Sequence, residues 1–239
     1  MSGVKDRVAL VTGAGSPEGI GFATARLLYS AGAKIAITST TDRINERRDE
    51  IERTALNVFS GVADLADSTA VNTLIEKIES DLGPIEIVIN NAGLAQVGRD
   101  KPSTLFHEVS DEQWHYGIDI NLTSAFMVTR AVLPGMMERN YGRIGYISSV
   151  TGPSVGIAGS SVYSAAKAGM LGMTRSLAIE SGPNNVTVNC IGPGWIETAA
   201  SGDGEITAGK FTPIGRPGTP EEVGHEAAVS YTHLRAHET

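Results

Sequence analysis

Apolar residues along the chain alternate between two patterns. Short continuous runs at 8–11, 35–38, 58–62, 85–89, 144–148 and 186–191 are rich in Val and Ile. Such runs read as strands. Between them, near 20–31, 42–55, 67–82, 111–139 and 162–181, apolar residues recur every three or four positions, as in helices with one buried face. Strand–helix alternation at this spacing predicts βαβ units and a parallel sheet. Several strands are apolar at every position, as a sheet with helices on both faces requires. No linker, repeat or low-complexity stretch interrupts the pattern, so one α/β domain is expected. Residues 195–218 are rich in Gly, Thr and Pro and lack a period, which predicts a mobile loop.

Composition narrows the picture. The chain has 239 residues, 41% of them hydrophobic, enough for a sizeable core. Its 28 glycines exceed the usual share of about 7%, and many stand at strand ends. The formal net charge of -8 argues against nucleic acid or an anionic membrane as partner. A single cysteine, Cys190, rules out an internal disulfide, and its Val-Asn-Cys-Ile setting reads as a strand. There is no signal-peptide pattern and no apolar run of about 18 residues, so a soluble cytoplasmic protein is the default expectation.

Three stretches carry candidate chemistry. The first strand runs into Thr12-Gly13-Ala14-Gly15-Ser16-Pro17-Glu18-Gly19-Ile20-Gly21, and a helix follows. Glycines at such a turn let a phosphate approach the backbone, and the helix N-terminus offers free N–H groups. A Gly-rich turn with no ligand is the plainer reading; the position after the first strand favours a dinucleotide. The second strand ends Ser39-Thr40-Thr41-Asp42-Arg43. Hydroxyls and Arg43 at this tip suit a 2′-phosphate, hence NADP(H) over NAD(H). Asp42 is expected to cap the next helix, although it could reach a ribose. In Tyr163-Ser-Ala-Ala-Lys167 the tyrosine and lysine share a helix face. An ammonium beside a phenol is expected to lower the tyrosine pKa from about 10 and make Tyr163 an acid–base group.

These stretches, with Asp64-Leu65, Asn90-Asn91-Ala92-Gly93, Asn121, Ser149 and Pro193-Gly194 in order, resemble the short-chain dehydrogenase/reductase family over residues 4–229. The Ile214-Gly215-Arg216-Pro217-Gly218 run is similar to its 3-oxoacyl-[acyl-carrier-protein] reductase-like members. The resemblance implies a single Rossmann-type doubly wound sheet binding NADP(H) or NAD(H). It implies a carbonyl or alcohol as substrate and a homotetramer as assembly. By the same resemblance, Tyr163 is the acid–base group, Lys167 binds the nicotinamide ribose, Ser149 holds the substrate oxygen and Asn121 holds a relay water. Gly13, Gly15, Ser16, Gly19, Ile20 and Gly21 would cradle the pyrophosphate, with Thr40 and Arg43 at the adenosine ribose. Asp64 and Leu65 would meet adenine, Asn91 a ribose, and Ile196 and Thr198 the nicotinamide amide. Each has a duller reading singly: a turn for Asp64, strand-end bonding for Asn91, a helix cap for Asn121.

The chain departs from the family pattern in three places. The glycine loop is two residues longer, and the Ser149-to-Tyr163 spacing is 14 rather than 13. After Val229 the family's continuing helix and last strand give way to Ser-Tyr-Thr-His-Leu-Arg-Ala-His-Glu-Thr. Residues 230–239 are therefore expected to be a non-native tail, with the last sheet strand missing. His233 and His237 stand at i, i+4, the spacing of a helical metal pair, but no third ligand is near, so no metal is expected. A cofactor-binding homologue without turnover is the competing functional reading.

Overall fold

The computed structural model describes residues 3–52, 56–94 and 103–232. Six parallel strands form one sheet: β1 (Val8–Val11), β2 (Lys34–Ser39), β3 (Val58–Val62), β4 (Ile85–Asn90), β5 (Gly142–Ile147) and β6 (Val186–Ile191). Their order is β3-β2-β1-β4-β5-β6. The chain winds outward from β1 in one direction, then returns and winds outward from β4 in the other. The strand order thus reverses between β1 and β4, and a crevice opens there at the carboxyl ends of the strands.

The pleat explains why the strands are apolar throughout. Val8 and Leu10 of β1 join Val88, Ile144 and Val188 in one core. Helices α3 (Ser68–Leu82), α5 (Ser124–Glu138) and α6 (Ser161–Ser181) cover it with Val71, Ile75, Val128, Val132 and Met170. The alternate residues Ala9 and Val11 join Ile35, Ile37, Ile87 and Ile89 in a second core on the opposite face. That core is closed by α1 (Ile20–Ser30), α2 (Ile44–Ile51) and α8 (Pro220–Thr232), through Ala25, Leu28, Ile44, Val223 and Ala227. Burying one such Ile or Leu side chain contributes about 1.5–3 kcal/mol.

Several expectations need correction. The predicted helix over 111–139 is two helices, α4 (Asp111–Ile118) and α5, joined by a π-helical turn over Asp119–Thr123. Helix α2 starts at Ile44 and its N-terminal cap makes no side-chain hydrogen bond, so Asp42 does not cap it. The N-terminus of α3 shows what such a cap looks like: Asp67 accepts from the N–H groups of Thr69 and Ala70. The span 195–218 is not all loop. It contains α7 (Asp203–Gly209), and its ends are tied together by Glu197 N–H to Gly218 O (2.9 Å) and Gly218 N–H to Trp195 O (2.8 Å). Helix α8 continues to Thr232, through the start of the stretch expected to be non-native. The pair His233 and His237 lies outside the described residues. Among the described residues no strand pairs with the outer edge of β6, and no helix is long and apolar enough to cross a membrane.

Candidate active site

The crevice is a cleft of about 1110 Å³. Every site residue expected from the sequence lines it except Gly21. Gly21 is buried in the first turn of α1, where an added Cβ would strike Asn91 Nδ2 at 2.5 Å.

The glycine loop is built into the end of the sheet. Thr12 Oγ1 accepts from the N–H groups of Asn91 and Ala92, each at 3.0 Å. The Asn91 amide donates back to Thr12 O (3.0 Å) and Gly13 O (3.1 Å). The ends of β1 and β4 are thereby clamped together across the switch point. Gly13 has φ +69°, and a Cβ there would lie 2.7 Å from Ala92 Cα, so no other residue fits. Gly19 is the N-terminal cap of α1 and offers no capping side chain, and Gly19 and Ile20 line the cleft. Its first N–H groups are available to an anion. The two extra residues, Pro17 and Glu18, are exposed and stand outside the cleft lining.

At the tip of β2, Ser39, Thr40 and Arg43 line the cleft and Asp42 does not. The Arg43 side chain lies against the glycine loop, its Nε 2.8 Å from where a Cβ on Gly15 would sit. Among the described residues Arg43 makes no ion pair. The buried hydroxyls of Thr38 and Thr41 have no partner. An unpaired guanidinium beside a glycine cradle fits the adenosine end of a dinucleotide. Asp64, across the cleft, accepts from the Ala66 N–H at 3.0 Å, the turn that its duller reading predicts.

At the other end, α6 brings Tyr163 and Lys167 against the end of β5. Lys167 is 4% exposed and donates from Nζ to Ile147 O at 2.8 Å. Ser148 Oγ donates to Lys167 O at 2.9 Å, fixing the helix to the strand. Ser149 Oγ accepts from the Thr151 N–H at 3.1 Å, and Ser149 and Tyr163 line the cleft together. The extra residue between Ser149 and Tyr163 is taken up by a small turn in which Thr151 bridges to Val155.

The Tyr163 pKa moves opposite to the expected direction, and burial is the cause. Burial raises the Tyr163 pKa above 10; the Ser149 bond lowers it less than burial raises it, and the Glu205 carboxylate adds a smaller upward push. The Lys167 Nζ sits 5.5 Å from the centre of the phenol ring and points to Ile147 O. Burial also drives its own pKa down to about 8, which weakens the charge it was expected to offer.

Asn121 lies in the π-helical turn, 2% exposed. Its Oδ1 accepts from the Leu94 N–H at 2.9 Å and its Nδ2 donates to Gly117 O at 3.0 Å. The side chain ties the turn to the loop after β4. Thr198 likewise shares its hydroxyl with Ser201 (3.2 Å) within its own loop.

Sequence reasoning missed two residues. Thr12 organises the clamp on the glycine loop; its place directly before Gly13 was the available signal. Glu205 lines the reaction end from α7, and no sequence signal pointed to it.

Comparison with known proteins agrees with this geometry. The short chain dehydrogenase family pattern matches residues 7–206. The chain belongs to the short-chain dehydrogenase family. It is an NAD(P)-dependent oxidoreductase. The Escherichia coli (strain K12) 3-oxoacyl-[acyl-carrier-protein] reductase FabG is 35% identical over 226 residues, 93% of this chain and 88% of that protein. Nodulation protein G of Azospirillum brasilense is 38% identical over 95% of this chain and 91% of its own length. The (2S)-[(R)-hydroxy(phenyl)methyl]succinyl-CoA dehydrogenase subunit BbsD of Thauera aromatica is 34% identical, covering 93% and 88% respectively.

Proposed function

We propose that this protein interconverts a ketone and a secondary alcohol with NADP(H), using Tyr163 as the acid–base group. The observation that carries this reading is the grouping of Ser149, Tyr163 and Lys167 at one end of a cleft whose other end is the glycine loop. When bound, the dinucleotide supplies or accepts the hydride; the protein positions the reactants and handles the proton.

Ser149 hydrogen-bonds to the substrate oxygen and stabilises the charge that develops on it during reduction. Tyr163 donates its phenolic proton to that oxygen, and takes one from the alcohol in the reverse direction. A pKa above 10 keeps the phenol protonated at neutral pH, which suits the reductive direction. Lys167, on the cleft wall beside Tyr163, would hold the nicotinamide ribose. Asn121 positions the π-helical turn under the site and a water for proton resupply. Gly13, Gly15, Ser16, Gly19 and Ile20 would hold the pyrophosphate, Leu65 and Asp64 the adenine, and Asn91, Ile196 and Thr198 the nicotinamide riboside.

NADP(H) is favoured over NAD(H) by Arg43 and Thr40 on the cleft wall and by Asp42 standing off it. The relatives' names point to acyl groups on a carrier protein or on CoA. A 3-oxoacyl thioester or a small neutral ketone is the substrate class we infer. NADPH oxidation with a panel of 3-oxo esters, thioesters and simple ketones tests the reading. Tyr163→Phe should lose at least about a hundredfold in kcat, the share usual for a positioned acid. Turnover at wild-type rate in that variant would remove Tyr163 from the mechanism.

A further inference from the structure

We propose that Val155 and Ile157 select the substrate by the straight alkyl chain attached to its reacting carbonyl carbon. This rests on the reductase reading above and specifies the substrate.

The two residues belong to the connection between β5 and α6, which leaves Ser149 and returns to Tyr163. Between positions 150 and 158 this connection lines the cleft with Val150, Thr151, Val155, Ile157 and Ala158. All of these except Thr151 have side chains of carbon alone. Val155 is 49% exposed and Ile157 39% exposed, and neither is part of the two cores. Two branched aliphatic side chains thus line the cleft with much of their surface still in water. An apolar part of a ligand gains free energy by covering such surface.

This aliphatic ledge is rigid, and its place relative to the phenol is fixed. The Val150 N–H donates to Pro193 O (3.0 Å), the Val155 N–H to Val150 O (3.0 Å) and the Gly152 N–H to Val155 O (2.8 Å). Gly152 has φ +101°, and a Cβ there would lie 2.3 Å from the Ser164 carbonyl oxygen. The turn therefore rests directly on α6, at the residue after Tyr163. Further along, the Ser160 N–H donates to Ile157 O (3.1 Å) and Gly159 O accepts from the Thr104 N–H (3.1 Å). One end of the ledge is tied to the loop after β6 and the other to the segment before α4. A carbonyl group seated between Ser149 and Tyr163 has this ledge starting beside it. A straight chain on that carbon lies along Val155 and Ile157, and each methylene laid there leaves water. A ledge held this firmly discriminates by chain length, because it does not re-form around a shorter or polar group.

The test lengthens the alkyl arm one methylene at a time, from ethyl 3-oxobutanoate to ethyl 3-oxopentanoate and ethyl 3-oxohexanoate. Wild type should gain about fourfold in kcat/KM per methylene. The double variant Val155→Thr with Ile157→Thr keeps branching at Cβ and puts a hydroxyl on each exposed side chain. Its gain should fall to about twofold or less per methylene. The double variant Val155→Ile with Ile157→Val keeps the ledge apolar and should hold the gain near that of wild type. No gain in wild type, or an equal gain in the threonine variant, would overturn the proposal.

Calorimetric titration of the same esters into the protein without cofactor reads binding apart from turnover. Kd should fall with each methylene in wild type and change little in the threonine variant. If wild type reduced none of the esters with NADPH or NADH, the reductase reading would fail. The ledge would then stand or fall on the calorimetric series. Absent binding, or one Kd for all three esters, would overturn it.

Discussion

Lys167, which we propose as a site residue, works against stability. Its ammonium is buried with one carbonyl partner, Ile147 O, and burial drives its pKa from 10.5 to about 8. Between those values the unfolded chain binds the proton more tightly than the folded one. The group's unfavourable contribution is therefore fully present below about pH 8 and is relieved as pH rises toward 10.5. Lys167→Met removes the buried charge and forfeits one hydrogen bond worth about 1 kcal/mol. The charge term is the larger, so the variant should melt no lower than wild type at pH 7 while losing most of its activity. Thermal melts and NADPH oxidation on the same preparation check this. A large drop in melting temperature would show that the ion contributes to stability rather than detracting from it. The sequence made the Tyr163–Lys167 pairing legible, because helical spacing is local. It did not reveal the direction of the tyrosine shift. That direction depends on burial by α6 and β5 and on Glu205, 42 positions further along the chain, which only the fold brings near.

At the scale of elements, periodicity found the parts with large buried faces and missed the parts held by polar contacts. The strands and the long helices were legible to within a few residues, because each contributes a row of side chains to one of two cores. The π-helical turn was not, since one widened turn barely disturbs an apolar stripe across 111–139. Helix α7 was not, since its seven residues carry little apolar surface and its start is held by Glu205. The segment around α7 is anchored in the same polar fashion at its far end. Arg216 donates to both carboxylate oxygens of Glu222 (2.9 and 2.6 Å), and Glu222 accepts from the Thr219 N–H at 2.8 Å. Arg216 and that N–H hold the Glu222 pKa down to about 2 from 4.5. The clamp is therefore complete above about pH 4.5 and is lost as pH falls toward 2. Both side chains are exposed, so global stability should change little in Glu222→Gln. Amide hydrogen exchange at Gly218 and Thr219 should instead become faster at neutral pH. Exchange rates equal to wild type would show that the strand-like pairing of Ile196 with Gly218 holds the segment unaided.

For the whole molecule, the reversal of strand order between β1 and β4 decides where anything can bind. Both cores run through these two strands, and the Thr12–Asn91 clamp joins their ends. A ligand seated there touches residues from both halves of the sheet, so its binding should stabilise the molecule as one unit. Glycine spacing made the site legible from sequence, and the tip of β2 made its cofactor preference arguable. The geometry adds that Arg43 lines the cleft without an ion-pair partner among the described residues, while Asp42 is not part of the lining. NADPH at a hundred times its Kd should raise stability by about 2.7 kcal/mol. For a chain of this length that is a rise of roughly 5–10 °C in melting temperature. NADH at equal concentration should give a smaller rise, because it offers Arg43 no phosphate. Arg43→Ala should lower the NADPH shift toward that of NADH and leave the NADH shift nearly unchanged, since the exposed side chain is replaced without disturbing either core. Equal shifts for the two cofactors in wild type would remove the basis for an NADP(H) preference. A loss of both shifts in Arg43→Ala would mean instead that the guanidinium supports the glycine loop against which it lies.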